Sequence, residues 1–284
     1  MVTRVFPAGP VELSYAEGPD SGPPVVLLHG VVRRWQDFEP IFPALIPRSH
    51  LHAVDFRGHG ASGRTPGGYR VVDYVGDIVA LLEKRIMVPA VLIGHSLGGM
   101  VAAGVAAAVP DLVRGIVFED PPFEMMGRRI AETSYLSLFG AYRDLLDSTD
   151  SVDALAAALA EVPIAVPGTG QFVRLGDQRD AASLQWLASC LGQIDPDVLT
   201  PLIEGRWLDG FDTGELLSRV TCPGLFIQAD DSAGGVLPDG YALSLVEKMP
   251  RVRHTRLAGV GHNIHITKPE EMARLTTSFL DSLD

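Results

Sequence analysis

Ser96 has the clearest chemical potential in the sequence, since Gly94 and Gly98 flank it in the pattern Gly-x-Ser-x-Gly. The apolar run 91–93 precedes this pattern and the helix-favouring stretch 100–108 follows it, which predicts a strand, a sharp turn and a helix. A residue on such a turn is held in strained backbone geometry, and larger neighbours than glycine would clash across it. Ser96 would stand at the start of the helix, where negative charge is favoured. Its hydroxyl is therefore a candidate nucleophile.

A serine nucleophile needs a base to take its proton and a carboxylate to orient that base. His262 is the candidate base, because it lies in a glycine-flanked loop after the last predicted strand. His265, three residues later, is expected to contact the wall or cap of the site. The remaining candidates are expected to make structural hydrogen bonds or to lie at the surface: His29, His59, His95 and His254.

Two backbone N–H groups are expected to stabilise the oxyanion that forms when the serine attacks a carbonyl. One is the N–H of Leu97, directly after the nucleophile, and the other is that of Val31, in the loop after the strand ending at Leu28. Removing one such donor typically costs about 3–4 kcal/mol of barrier. This pair completes the requirements for acyl transfer.

The elements that position these residues alternate between buried strands and helices, which predicts an α/β fold with a mostly parallel central sheet flanked by helices. The alternation lapses between two sheet strands. Residues 1–122 and 214–284 are therefore predicted to form the core domain, and residues 123–213 a helical cap. Within the cap, helices are predicted over 130–146, 151–160 and 181–191, with a break rich in proline and glycine at 162–170.

Composition excludes several classes of function. The chain has 284 residues, of which 46% are hydrophobic, and its net charge of −12 argues against binding to nucleic acid or an anionic membrane. Cys190 and Cys222 form no disulfide or metal-binding pattern. No basic, apolar leader opens the chain, and no run reaches membrane-spanning length. We expect a cytoplasmic monomer or homodimer that uses no metal and no organic cofactor.

Four motifs follow one another in the order His29-Gly30, Asp55-Phe-Arg-Gly-His-Gly-Ala-Ser62, Gly94-His-Ser-Leu-Gly-Gly99 and Gly261-His262. Together they resemble the α/β-hydrolase fold superfamily over residues 11–283. The resemblance implies a serine-nucleophile hydrolase with a helical cap. A serine at the nucleophile position argues against dehalogenase and epoxide hydrolase chemistry, for which members of this superfamily use an aspartate.

The sequence departs from this superfamily at the acid. Many members have Gly-x-x-Asp after the strand that corresponds to 225–228, but here Ser232 falls where that aspartate would lie. Asp230 and Asp231 are out of phase by one or two residues. A subset of the superfamily places the acid after the preceding sheet strand, which matches Asp120. Asp120 is favoured, with Asp230 or Asp231, and then Glu119, as open alternatives.

The favoured reaction is hydrolysis of a carboxylic ester or lactone of a small, largely apolar molecule through an acyl-enzyme. The same residues would also suit a carbon–carbon bond hydrolase, a perhydrolase or a ligand sensor with very low turnover. Apolar residues of the cap are candidate substrate contacts. Those singled out are Phe123, Phe139 and Trp186, with Met125, Met126, Tyr135 and Phe172 as further candidate walls.

Overall fold

An eight-stranded sheet forms the centre of the protein, in a computed structural model that describes residues 1–148, 151–166 and 169–283. The strands of this sheet are β1 (Val2–Ala8), β2 (Val11–Glu17), β3 (Pro24–Leu28), β4 (His50–Val54), β5 (Ala90–His95), β6 (Val113–Glu119), β9 (Gly224–Gln228) and β10 (Val252–Arg256). Their order is β1-β2-β4-β3-β5-β6-β9-β10. β1 and β2 pair antiparallel with each other, and β2 with β4, whereas all later neighbours are parallel.

The helices are α1 (Phe42–Leu45), α2 (Val71–Leu81), α3 (Leu97–Ala108), α4 (Tyr135–Ser148), α5 (Val152–Ala160), α6 (Leu175–Gln178), α7 (Ala181–Leu191), α8 (Thr200–Ile203), α9 (Thr213–Ser218), α10 (Asp239–Val246), α11 (Ile264–Thr267) and α12 (Pro269–Asp281). Helices cover both faces of the sheet. In β3, Val26 and Leu28 face a core shared with α2 and α3, while Val25 and Leu27 face a second core shared with α1 and α12. This alternation explains why the central strands are continuous apolar runs, and it confirms the predicted fold class.

The segment between β6 and β9 is mainly helical, and α4, α5 and α7 begin and end within a few residues of the predicted helices, except that α4 begins later. The two strands of this segment and its short helices α6, α8 and α9 were not predicted. Strands β7 (Pro163–Ala165) and β8 (Phe172–Arg174) pair antiparallel around the break predicted at 162–170, of which Pro167 and Gly168 lie outside the described residues. Strands of three residues are too short to produce a recognisable sequence period. The division into core and cap domains stays a prediction.

The helix boundaries differ from prediction where proline or a changed hydrogen-bond pattern intervenes. The sequence makes 36–46 a candidate helix, and the structure has a 3₁₀ segment there, Trp35–Ile41, followed by the single turn of α1, with prolines at 40 and 43. The apolar spacing over 71–87 predicts one helix, and the structure has α2 continued by a π-helical turn, Leu82–Ile86. No helix among the described residues combines the length and the apolar composition needed to cross a membrane.

Candidate active site

Ser96 lies on the sharp turn between β5 and α3 that the sequence predicts, and its backbone is strained, with φ 52° and ψ −116°. The two flanking glycines are required for different reasons. A Cβ on Gly94 would lie 2.2 Å from the Gly98 carbonyl oxygen, across the turn, whereas a Cβ on Gly98 would lie 1.9 Å from the Leu28 carbonyl oxygen of β3. Larger residues at either position would therefore displace the turn and the serine with it.

The two N–H groups predicted to bind an oxyanion are both unoccupied. The Leu97 N–H opens α3, and the Val31 N–H lies in the loop after β3. In the described part of the chain, neither donates to a protein acceptor. The next residue, Val32, has φ 55°, and its N–H is bound instead by the ring of His59. The loop is thus held in place while the Val31 N–H stays available to a ligand.

His262 is bound to a carboxylate, and that carboxylate is Asp120. The His262 Nδ1 lies 2.8 Å from the Asp120 Oδ2. His95, the neighbour of Ser96, packs its ring 4.6 Å from the His262 ring and binds the His262 carbonyl oxygen through Nε2 at 3.1 Å. The loop of His262 therefore contacts the turn that presents Ser96. With Nδ1 engaged by Asp120, Nε2 is the free ring nitrogen of His262 for proton transfer.

Asp120 is fixed at the end of β6 by backbone donors. It is fully buried, with φ 45°. Its Oδ1 accepts the Ala229 N–H at 3.2 Å, and its Oδ2 accepts the Val236 N–H at 3.0 Å in addition to the His262 ring. Three donors thus hold the carboxylate in one orientation.

The alternative acids have other partners. Asp230 accepts the Gly259 N–H at 2.7 Å and the Ser232 hydroxyl at 2.7 Å, and it pairs with Arg256 at 2.9 Å. These hydrogen bonds, that from the Gly259 N–H first, lower the pKa of Asp230 to about 2. Asp231 is half-exposed and binds the Ser232 N–H. Asp230 therefore stabilises the turns around the His262 loop without contacting His262.

Glu119, the third alternative, holds His265. Its carboxylate lies 2.8 Å from the His265 Nδ1 and accepts the His265 N–H at 2.9 Å. Both side chains are fully buried, and the His265 Nε2 lies 4.0 Å from the Asp37 carboxylate, so the expected contact of His265 with the wall or cap of the site stays a prediction. Glu119, the last residue of β6, and Asp120, directly after it, each bind one histidine of the segment that follows β10. This second pair ties α11 to the end of β6.

His29, His59 and His95 make the structural hydrogen bonds predicted for them, whereas His254, expected at the surface, does not lie there. The His29 Nδ1 binds the Gly30 carbonyl oxygen and its Nε2 accepts the Phe56 N–H. Burial lowers the pKa of His29 and of His95 well below the ordinary value, and that of His59 to about 4. His254 is half-buried rather than at the surface, and binds Gln228.

The predicted apolar contacts differ in position. Phe123 and Phe139 are buried, and Phe139 lies behind Tyr135, whose ring is 6.5 Å from the His262 ring. Trp186 donates its indole N–H to Asp37, and Arg34 lies 4.2 Å above its ring. Asp37 and Arg34, which follow β3, therefore hold the Trp186 ring in place and limit how far it could move to contact a substrate. The further candidate wall Phe172 is 67% exposed on β8.

Several polar residues around the site carried no sequence signal. Arg33 donates to Asn263, next to His262, at 3.3 Å, and its Nε lies 3.5 Å from the Asp37 carboxylate. Burial raises the pKa of Tyr142, and the Arg179 guanidinium of the inserted segment acts in the opposite direction. These residues come from segments far apart in sequence, and only their charge could have suggested a role.

Two groups of side chains place three potential metal ligands within 4.8 Å of one another in the described chain: Glu17, His50 and His52, and His95, Glu119 and His265. Protein donors already occupy both carboxylates. Arg4 and Arg85 bind Glu17 at 2.9 and 2.7 Å, and His265 binds Glu119. Neither group has the free carboxylate that a metal site of this composition would use.

Comparison with known proteins places the whole fold in a group of hydrolases. The model of the alpha/beta hydrolase family matches residues 25–275. The chain is 38% identical to the 2-(acetamidomethylene)succinate hydrolase of Mesorhizobium japonicum over 119 residues, which are 42% of this chain and 42% of that relative. It is 28% identical to an sn-1-specific diacylglycerol lipase of Mus musculus, over 95% of this chain and 86% of the lipase. The structure of the enol-lactonase from Burkholderia xenovorans LB400 is similar in fold, with a TM-score of 0.75, 17% identity, and coverage of 98% and 100% of the two chains.

Proposed function

The chain belongs to the alpha/beta hydrolase family, and from this premise we propose that it is a serine hydrolase that cleaves a carboxylic ester or lactone through an acyl-enzyme. The observation that supports this most directly is the hydrogen bond of the His262 Nδ1 to the buried Asp120 carboxylate, beside the turn that presents Ser96. Ser96, His262 and Asp120 then act as nucleophile, base and orienting acid.

In the acylation step, the His262 Nε2 takes the Ser96 hydroxyl proton while the oxygen attacks the substrate carbonyl carbon. The Val31 and Leu97 N–H groups, which no protein acceptor occupies, stabilise the resulting oxyanion. The tetrahedral intermediate collapses, and the leaving alkoxide receives the proton from His262. In a lactone this alkoxide stays attached to the acyl group.

Deacylation repeats the sequence with water. His262 takes a proton from a water molecule, the hydroxide attacks the Ser96 ester, and Ser96 leaves with the proton from His262. Asp120 remains a carboxylate throughout and stabilises the transient imidazolium. An ester or lactone is the favoured substrate class because an alkoxide is a better leaving group than an amine or a carbanion. The relatives named above include proteins whose names describe a lipase and a lactonase.

Pre-steady-state kinetics with p-nitrophenyl acetate test the proposal. We expect a burst of p-nitrophenol equal to the enzyme concentration, followed by many turnovers, and an acetyl group on the peptide that contains Ser96. The Ser96→Ala variant should lose both at an unchanged melting temperature, and adding His262→Ala should cost little more, because such residues act as a unit. Ser218→Ala, an exposed serine at the end of α9, is the matched control.

Two outcomes would contradict the proposal. A Ser96→Ala variant that retains more than about a tenth of wild-type turnover would remove the nucleophile assignment, given the losses expected when one member is deleted. A single slow turnover of the wild-type protein, with no steady state, would instead favour the ligand-sensor alternative.

A further inference from the structure

Glu119 joins the turn that carries Ser96 to the segment that carries His262. It is the last residue of β6 and is fully buried. Its carbonyl oxygen accepts the Ser96 N–H at 2.9 Å, and its carboxylate accepts the His265 N–H at 2.9 Å. Both carboxylate oxygens also lie 2.8 Å from the His265 Nδ1. One residue therefore contacts the backbone of the proposed nucleophile and a residue of the segment that carries the proposed base.

His95 forms a second link between the same two parts of the chain. It directly precedes Ser96, and its Nε2 donates to the His262 carbonyl oxygen at 3.1 Å. Its ring lies 4.6 Å from the His262 ring and 4.9 Å from the His265 ring. The buried Phe38 ring lies 4.9 Å from the His265 ring as well. The His265 ring therefore has packed neighbours in addition to the Glu119 carboxylate.

Asp120 and Glu119 act on different parts of the segment that follows β10. Asp120 binds the His262 Nδ1 at 2.8 Å and so orients the ring. Glu119 binds the backbone and the ring of His265, and so fixes the chain just beyond His262. A base must lie within about 2.6–3.2 Å of the group whose proton it takes. Both the orientation of the ring and the place of the chain are therefore needed.

The start of the same segment has a different anchor. Residues 257–263 form no helix or strand, and Gly259 has φ 69°. The Asp230 carboxylate accepts the Gly259 N–H at 2.7 Å. In the described part of the chain, the hydrogen bonds of Asp230 do not reach the turn that carries Ser96. Glu119 differs from Asp230 because it contacts both that turn and the segment.

We propose that Glu119 and His265 are positioning residues for the reaction at Ser96. Their contact sets the distance from the His262 Nε2 to the Ser96 hydroxyl, while Asp120 sets the orientation of the His262 ring. This inference rests on the proposed function of the same site. It gives a role in turnover to two residues that act through His262 and touch no reacting atom.

Two substitutions at Glu119 separate the reach of its side chain from its charge. Glu119→Gln keeps the length, and keeps one oxygen that accepts from His265, but removes the charge. Glu119→Asp keeps the charge but shortens the side chain by one carbon–carbon bond, about 1.5 Å. We expect Glu119→Asp to lower kcat for p-nitrophenyl acetate by about 10- to 100-fold, because a misplacement of about 1 Å can cost 10²-fold. Glu119→Gln should retain most of the wild-type kcat, and KM should change little in both variants because neither residue touches the substrate.

Titration with diethyl p-nitrophenyl phosphate separates positioning from a merely structural role. Ser96 reacts with this compound once, so the final amount of p-nitrophenol counts the competent molecules and the rate reports their geometry. We expect Glu119→Asp to react more slowly but to the same final amount as the wild type. A smaller final amount at an unchanged rate would overturn the inference. A larger rate loss in Glu119→Gln than in Glu119→Asp would also overturn it, because charge rather than reach would then be the cause.

A second pair of variants tests the contact from the histidine. The amide N–H of asparagine can donate where the His265 Nδ1 does, whereas leucine cannot. His265→Asn should therefore react faster than His265→Leu. Asp230→Asn is the matched control, because it weakens the other anchor of the same segment and should keep the wild-type rate. A rate loss in Asp230→Asn equal to that in Glu119→Asp would overturn the particular role of Glu119 and His265.

Hydrogen exchange separates this inference from the proposed function, because it needs no turnover. The peptide that contains residues 259–266 should exchange faster in Glu119→Asp than in the wild type, and at the wild-type rate in Glu119→Gln. Unchanged exchange in Glu119→Asp, together with wild-type kinetics, would overturn the inference and leave the serine mechanism standing. A wild-type protein that is not acylated at Ser96 would overturn the serine mechanism, and the exchange of the two variants would then decide whether Glu119 fixes this segment.

Discussion

Replacing the Asp120 carboxylate by an amide, Asp120→Asn, tests how the site is held together. Asp120 has φ 45°, a conformation that asparagine tolerates, so the backbone should not change. The carboxylate accepts hydrogen bonds at both oxygens, from Ala229 at Oδ1 and from Val236 and His262 at Oδ2. An amide has one oxygen and one NH₂ group, so it cannot satisfy all three donors.

The two orientations of the amide fix the size of the effect. If the NH₂ group takes the place of Oδ2, it faces the Val236 N–H, which then has no acceptor. The same NH₂ group also faces the His262 Nδ1, which must be unprotonated to accept from it, so the His262 proton lies on Nε2. With NH₂ in place of Oδ1, it faces the Ala229 N–H. Either way, a fully buried N–H loses its acceptor, which costs about 1–3 kcal/mol of stability. The first orientation gives His262 the wrong tautomer and lowers kcat by about 10⁴-fold, as in a serine protease with the same substitution, whereas the second keeps the tautomer and removes only the negative charge that stabilises the imidazolium.

Turnover of p-nitrophenyl acetate and the melting temperature should be measured together for Asp120→Asn, Asp230→Asn and Asp231→Asn. We expect Asp120→Asn to lose both rate and a few degrees of melting temperature. Asp230→Asn should lose mainly stability, because its partners are Gly259, Ser232 and Arg256. Asp231→Asn should match the wild type closely. A larger rate loss in Asp230→Asn than in Asp120→Asn would refute the assignment of Asp120 as the orienting acid.

Two further predictions concern stability. The pKa of Asp230 is lowered from 3.8 to about 2, so the Asp230 carboxylate contributes stability above about pH 4 that is lost as the pH falls towards 2. Urea unfolding should show Asp230→Asn to be less stable than the wild type at pH 5, with the difference in free energy of unfolding shrinking by pH 2. A difference that stays the same at both pH values would contradict this. Trp186→Phe removes the indole N–H from buried Asp37 and should lower the free energy of unfolding by about 1–3 kcal/mol, with little effect on acetate ester turnover. Trp35→Phe is the control, because Trp35 stacks on Phe42 and its indole N–H has no partner among the described residues. Equal losses of free energy of unfolding in the two variants would show that ring size rather than the hydrogen bond matters.

The sequence alone determined the elements whose causes are local. The turn at Ser96 could be predicted because glycine at 94 and 98 avoids contacts of about 2 Å that any Cβ would make. The central strands could be predicted because burial on both faces produces apolar runs, as in β5, all of whose residues are buried. The order of the motifs placed His262 and the N–H groups of Val31 and Leu97 at one edge of the sheet.

The choice among carboxylates needed the tertiary structure. Asp120, Asp230 and Asp231 all follow strands at the same edge, so the spacing favoured Asp120 but left the other two open. The structure separates them by partner: Asp120 contacts His262, while Asp230 accepts the Gly259 N–H. The same holds for Glu119 and His265, whose contact joins residues 146 positions apart.

The contact between the inserted segment and the chain after β3 depended on tertiary structure most strongly. Asp37 follows β3 and Trp186 lies in α7, and neither belongs to a recognisable motif. The Trp186 indole N–H reaches the buried Asp37 carboxylate only because the inserted segment packs over the chain after β3, where burial strengthens electrostatic interactions. A sequence specifies local backbone geometry through steric exclusion between near neighbours, but it specifies charge proximity only through the packing of distant segments.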